Sequence, residues 1–161
     1  HKGDVFFIES GTLHAIGKGI LIAEIQQNSN TTYRIYDYGR VGADGKPRQL
    51  HVDKALDVTE RIPPKYPTKA QGAPEKVEGG TRTLLRSCEY FNVNRLEPDG
   101  TMKLCADEKS FNSLLVLDGE VTISSADGNM TAKKGDSIFV SAGTGDYTVS
   151  GKGEIILTDI I

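Results

Sequence analysis

Three residues within one short stretch carry side chains suited to proton transfer and charge stabilisation: His14, Glu24 and Arg34. His14 follows the Gly11-Thr12 turn, at a strand mouth of the kind where β-barrels hold small ligands. A neutral imidazole there suits a borderline cation such as zinc, and equally a hydrogen-bonded surface or core histidine. Glu24 interrupts the apolar run Ile20-Leu21-Ile22-Ala23-Glu24-Ile25. On a buried strand its carboxylate must be paired or metal-bound; at an edge it would simply face water. Alternation sets Leu21, Ala23 and Ile25 on one face and Ile20, Ile22, Glu24 and Gln26 on the other, so the second face turns polar toward its end. Arg34 lies between Tyr33 and Ile35. Its planar cation can stabilise an oxyanion or grip a phosphate, or pair with Asp37 or Glu24, which is the simpler expectation. His51, near Arg48 and Asp53, reads as a cap or surface residue, and Asp44 and Asp53 as ordinary loop and helix-start residues.

The elements that must position these groups are written twice. Lys2-Gly3-Asp4 aligns with Lys134-Gly135-Asp136, and Gly11-Thr12 with Gly143-Thr144. Beyond a two-residue insertion, Gly17-Lys18-Gly19 aligns with Gly151-Lys152-Gly153, while His14 meets Asp146. Each copy reads as a strand, a tight glycine turn and a second strand, as in Val5-Phe6-Phe7-Ile8 and Ile138-Phe139-Val140. The glycine-to-histidine spacing resembles the second motif of cupins, β-barrels of jelly-roll type. Glu9 and Ser141 stand where that motif usually has proline. Leu115-Val116-Leu117-Asp118-Gly119-Glu120-Val121 resembles the turn of the first cupin motif, yet no histidine precedes it at motif spacing; the chain has only His1, His14 and His51. The second unit is therefore expected to be a metal-free structural barrel. The first-motif segment for the first unit would lie before residue 1, so the chain is expected to begin inside a motif.

Composition agrees with an all-β soluble protein. Hydrophobic residues make up 37% and charged residues 25%, and 18 glycines punctuate short apolar runs. A net charge of −3 without a basic cluster argues against nucleic acid as a partner. No apolar stretch approaches the length of about 20 residues that spans a bilayer, and no leader-like segment is seen, so a cytoplasmic setting is expected. Cys88 and Cys105 are spaced unlike a zinc pair and are expected to be reduced.

Along the chain, strands are expected over 4–9, 19–27 and 32–38, and one helix over 51–60 with Val52, Ala55, Leu56 and Thr59 on one face. Residues 61–80 hold four of the six prolines and read as a linker. Short strands then recur over 82–87, 89–96, 101–105, 112–118, 120–125, 130–133, 137–141, 145–149 and 153–160. The expected fold is thus all-β: residues 1–60 closing an incomplete catalytic cupin barrel with one short helix, and residues 81–161 forming a metal-free barrel.

The stretch G-D-V-F-F-I-E-S-G-T-L-H-A-I-G-K-G-I-L-I-A-E-I-Q-Q-N-S-N-T-T-Y-R-I-Y-D-Y-G-R, with its continuation D-G-K-P-R-Q-L-H-V-D-K-A-L-D-V, closely resembles type I mannose-6-phosphate isomerase in its short bacterial form. The resemblance is dense over residues 2–58 and extends in outline to the C-terminal barrel. It implies a zinc-dependent aldose–ketose isomerase acting on a sugar phosphate. His14 matches the zinc-ligating histidine, Arg34 the active-site arginine and Glu24 an active-site carboxylate, with Gln26, Gln27 and Tyr33 lining the pocket. Gly39 departs from the family's frequent Asp, at a turn. The family's other zinc ligands have no counterpart here, so these residues alone are expected to be inactive. Strands 4–9 and 19–27 would then present an edge open to dimerisation or strand swapping. The competing reading is a non-catalytic cupin module for sugar sensing or interaction.

Overall fold

The structure is a computed structural model that describes residues 1–160. The chain forms two compact units, Phe6–Pro67 and a second made of His1–Val5 with Thr68–Ile161.

The second unit holds eight antiparallel strands: β1 (Glu75–Val77), β2 (Gly80–Ser87), β3 (Asn92–Pro98), β4 (Thr101–Ala106), β5 (Asn112–Ser125), β6 (Gly128–Lys133), β7 (Ser137–Val140) and β8 (Gly145–Asp159). They run in the order β1-β2-β3-β8-β5-β6, with β4 added on β8 and β7 on β5. Two long strands curl this sheet. The C-terminal half of β8 pairs with β3 and its N-terminal half with β4. In the same way β5 pairs with β7 and then with β6, while β5 and β8 lie side by side along most of their length. Alternate inward residues from these strands, among them Leu96, Leu114, Val116, Val121, Val149, Ile155 and Leu157, fill one apolar core.

Glycine explains why the sequence suggests more breaks than exist. The expected pairs 112–118 with 120–125, and 145–149 with 153–160, are each one continuous strand. Gly119 (φ +80°) lies directly opposite Gly153, beside a register shift between Val116 and Asp118. A Cβ on Gly119 would sit 2.2 Å from the Lys152 carbonyl oxygen. These glycines bend the ladder and let two backbones touch, rather than ending the strands. Within 61–80, β1 occupies Glu75–Val77, and the amides of Gln71 and Gly72 donate to Leu85 and Leu84 carbonyls (3.1 and 2.9 Å).

The Phe6–Pro67 unit contains one helix, α1 (Val52–Val58), inside the expected span, and one isolated bridge, Val41 with Pro47. Only Ala55 of the expected apolar helix face is buried; Val52 and Leu56 are exposed. The expected strands 4–9, 19–27 and 32–38 form no ladder among the described residues. A strand is stabilised by a neighbour that pairs its N–H and C=O groups, and these segments have none. Their apolar side chains lie open, with Phe6 64% and Leu21 90% exposed.

Both copies of the repeat nevertheless make the same turns. Asp4 and Asp136 donate their amides to the His1 and Lys133 carbonyls (3.2 and 2.9 Å), with Gly3 and Gly135 at φ +90° and +92°. Thr12 and Thr144 repeat this with Glu9 and Ser141 (3.1 and 3.2 Å), beside Gly11 at +86° and Gly143 at +80°. Local turn chemistry is retained where pairing is not, because a turn needs only its own residues.

Candidate functional site

His14 is exposed, and its ring is oriented by its own turn. Nδ1 lies 2.8 Å from the Thr12 carbonyl oxygen. A carbonyl only accepts, so Nδ1 donates here, and in a neutral ring Nε2 is then the nitrogen with the lone pair that a cation could take. This is the arrangement that fixes a metal-ligating imidazole. Gly11 makes the turn tight: a Cβ there would meet the Val58 carbonyl oxygen at 2.8 Å, at the end of α1.

Arg34 belongs to a charge cluster built around Asp37. This buried carboxylate receives Arg48 through both Nε (2.6 Å to Oδ2) and Nη2, and Arg40 through Nη2 (2.8 Å to Oδ1). Arg34 Nε lies 3.7 Å from Oδ1, and its Nη1 donates to the Gln49 carbonyl oxygen at 3.3 Å. The turn that arranges this is Asp37-Tyr38-Gly39-Arg40, closed by the Arg40 amide on the Asp37 carbonyl (2.9 Å). Tyr38 (φ +55°) and Gly39 (φ +67°) both take positive φ, as the central residues of a type I′ turn do. Gly39 therefore serves the turn, as its place in the sequence suggests.

The fork from Arg48 is the largest cause holding the Asp37 carboxyl at about 2; burial opposes it, and Arg40 adds to it. A carboxylate held below its ordinary 3.8 stabilises the fold above that value and loses its contribution as pH falls through the folded value. Tyrosine near-ultraviolet circular dichroism from Tyr33, Tyr36 and Tyr38 is expected to change between pH of about 4 and about 2. Asp37→Asn should lose this acid step while starting less stable at neutral pH. A step unchanged in Asp37→Asn would assign it elsewhere.

His51 sits at the N-cap of α1 but makes no side-chain cap; its Nδ1 accepts the Arg34 amide (3.2 Å), and its own amide donates to the Arg34 carbonyl (2.6 Å). This ties Arg34 to the helix start, a role the capping expectation misses. Glu24 is exposed and makes no hydrogen bond or ion pair among the described residues. The structure thus brings Arg34 together with Asp37, and His14, Glu24 and Arg34 make no hydrogen bond or ion pair with one another. A cavity of about 310 Å³ in this unit is lined by Leu13, Ile35, Val52, Ala55, Leu56, Thr59 and Arg61, and by none of the three. No group of three or more His, Cys, Asp or Glu among the described residues could hold a metal. Cys88 and Cys105 are free.

Sequence reasoning names Asp37 only as a partner for Arg34 and misses Arg40 and Arg48, which hold it more closely. Asp37 is the carboxylate inside a tyrosine-rich run with arginines at 34, 40 and 48 around it. That surplus of guanidinium was the available signal.

Comparison with known proteins gives these residues a setting. Residues 80–160 match the family model for the mannose-6-phosphate isomerase cupin domain. The mannose-6-phosphate isomerase of Bacillus subtilis is 40% identical over 158 residues, covering 98% of this chain and 49% of that protein. Its counterpart from Streptococcus mutans is 34% identical over 154 residues, 96% of this chain and 48% of that one. A crystal structure of the mannose 6-phosphate isomerase from Bacillus subtilis superposes with a TM-score of 0.70 at 31% identity, over 82% of this chain and 41% of that one. The chain spans about half the length of the curated relatives it matches. With its jelly-roll sheet, its duplicated turns and this match, the chain belongs to the mannose-6-phosphate isomerase cupin-domain family.

Proposed function

We propose that the chain supplies the C-terminal part of a zinc-dependent aldose–ketose isomerase interconverting mannose 6-phosphate and fructose 6-phosphate. On this reading its residues do not turn over substrate by themselves. The observation that carries it is a match to named isomerases running over 98% of this chain but only 49% of the relative. The uncovered apolar side chains of the Phe6–Pro67 unit support it, because a finished catalytic barrel would bury them.

Zinc does not fit these residues alone. A catalytic zinc takes about three protein ligands and His14 is one, with no cluster of further donors among the described residues. The zinc assignment therefore belongs to the whole isomerase, with the remaining ligands outside these residues, and no step below is routed through it.

The reaction moves a proton between the first two sugar carbons through a cis-enediol, so it needs a base and a stabiliser of negative charge. Arg34 is proposed as the stabiliser: its guanidinium is held by Asp37 and the Gln49 carbonyl, so little ordering remains when an enediolate forms. Glu24, which makes no hydrogen bond or ion pair among the described residues, is proposed as the active-site carboxylate. Three arginines around one carboxylate leave cationic charge that suits a sugar phosphate. A cytoplasmic setting and a homodimer or strand swap, in which segments 4–9 and 19–27 would gain the pairing they lack here, complete the proposal; neither nucleic acid nor a membrane is a proposed partner. No helix among the described residues is long and apolar enough to cross a membrane.

The 161-residue chain, assayed with mannose 6-phosphate and excess zinc, is expected to produce no fructose 6-phosphate above the enzyme-free rate. Turnover by this chain would overturn the reading that it is an incomplete catalyst.

A further inference from the structure

We infer that the open cavity along β4 and β8 of the C-terminal sheet is a second, metal-free binding site, for a neutral polyhydroxylated ligand of monosaccharide size. This does not rest on the isomerase proposal. The cavity measures about 670 Å³, inside the range of about 300–1,000 Å³ typical of small-molecule sites. Its lining comes from β2, β4, β5 and β8, the strands that curl around the core.

The chemistry is set by two buried side chains. Asn112 (5% exposed) donates Nδ2 to the Cys105 carbonyl oxygen (2.9 Å) and to the Tyr147 hydroxyl oxygen (2.8 Å). Because the Cys105 carbonyl only accepts, the amide orientation is fixed and Asn112 Oδ1 remains an acceptor. Tyr147 (2% exposed) accepts from Asn112, so its own proton remains to be donated. Burial pushes that phenol up to about 12, so it stays protonated at neutral pH. The pair therefore offers one donor and one acceptor in a buried wall, which is what a sugar hydroxyl satisfies.

The rest of the lining selects against an anion. Lys103 is tied to Glu78 by two contacts of 3.2 Å, leaving Arg82 as the cation facing Asp146 and Asp159. Arg82 uses Nε on Asn94 (3.0 Å), and Asp159 receives Asn92 (2.8 Å). Both signs are present without a positive surplus, so hydroxyls, which donate and accept, match better than a phosphate. Leu104 and Leu157 supply an apolar wall for ring C–H groups, and Ser124, Ser125 and Thr148 add hydroxyls.

The test is an amide NMR titration of the whole 161-residue chain with D-mannose, D-fructose and myo-inositol, each into the millimolar range. Saturable shifts are expected at Cys105, Asn112, Ser124 and Tyr147 for at least one of the three. Tyr147→Phe, with its dispersed spectrum retained, should bind about tenfold more weakly. If that variant does not fold, Arg82→Ala at the exposed rim is read in its place, with the same direction expected. The inference is overturned by an absence of saturable shifts with all three probes, by shifts confined to other residues, or by unchanged affinity in the folded variant. Inorganic phosphate binding in the cavity more tightly than every sugar also overturns it.

Discussion

Arg34→Ala is expected to lower turnover by about 10²–10³ in a hybrid isomerase whose C-terminal half is this chain. The hybrid would use the Bacillus subtilis relative for its other half, joined where the 158 aligned residues begin. The magnitude is that of removing one preorganised donor from a developing oxyanion. Arg34 suits that role because its side chain is held on two sides, by Asp37 (3.7 Å) and by the Gln49 carbonyl (3.3 Å). The backbone link to His51 does not involve the side chain and should survive, so the fold near α1 is expected to persist. The loss should fall on kcat more than on KM, since the charge it stabilises exists only in the transition state. Arg34→Lys should recover little, because a point charge cannot reproduce the fork. Equal losses in kcat and in thermal stability would instead mark Arg34 as a structural partner of Asp37.

The largest loss of stability is expected at the centre of the barrel. Leu114 is fully buried on β5, opposite Ile138 of β7 and Leu157 of β8. Truncation to alanine removes its transfer free energy and leaves a void that strands paired on both sides cannot close. Leu114→Ala should cost about 2–5 kcal/mol. For a unit of this size each kcal/mol is worth about 4–8 °C, so the barrel Tm should fall by at least about 8 °C. Met130→Ala, at a half-exposed position of β6, should stay within about 0.5 kcal/mol. Equal effects at the two positions would contradict the core assignment.

The K-G-D and G-T turns were legible in both copies because a turn depends on residues adjacent in sequence. The barrel strands were legible from their alternation, but Gly119 and Gly151 looked like strand ends. They are instead points of close backbone approach that only the partner strand reveals. Segments 4–9, 19–27 and 32–38 carry strand composition without ladders, because pairing is a property of two segments and composition belongs to one. Asp37 shows the same limit for chemistry. Arg34 was visible as a candidate, and Asp37 as its simple partner. The forked grip of Arg48 crosses eleven residues and depends on the Tyr38-Gly39 turn. Asn112 and Tyr147 are 35 residues apart, and nothing local to either announces their bond.

The most direct measurement is the mannose 6-phosphate to fructose 6-phosphate rate of the folded, zinc-supplied hybrid, beside the same hybrid carrying His14→Ala. The account predicts turnover in the first and none above background in the second. A folded hybrid without turnover, or one indifferent to His14, would contradict the claim that these residues are the C-terminal part of a working isomerase.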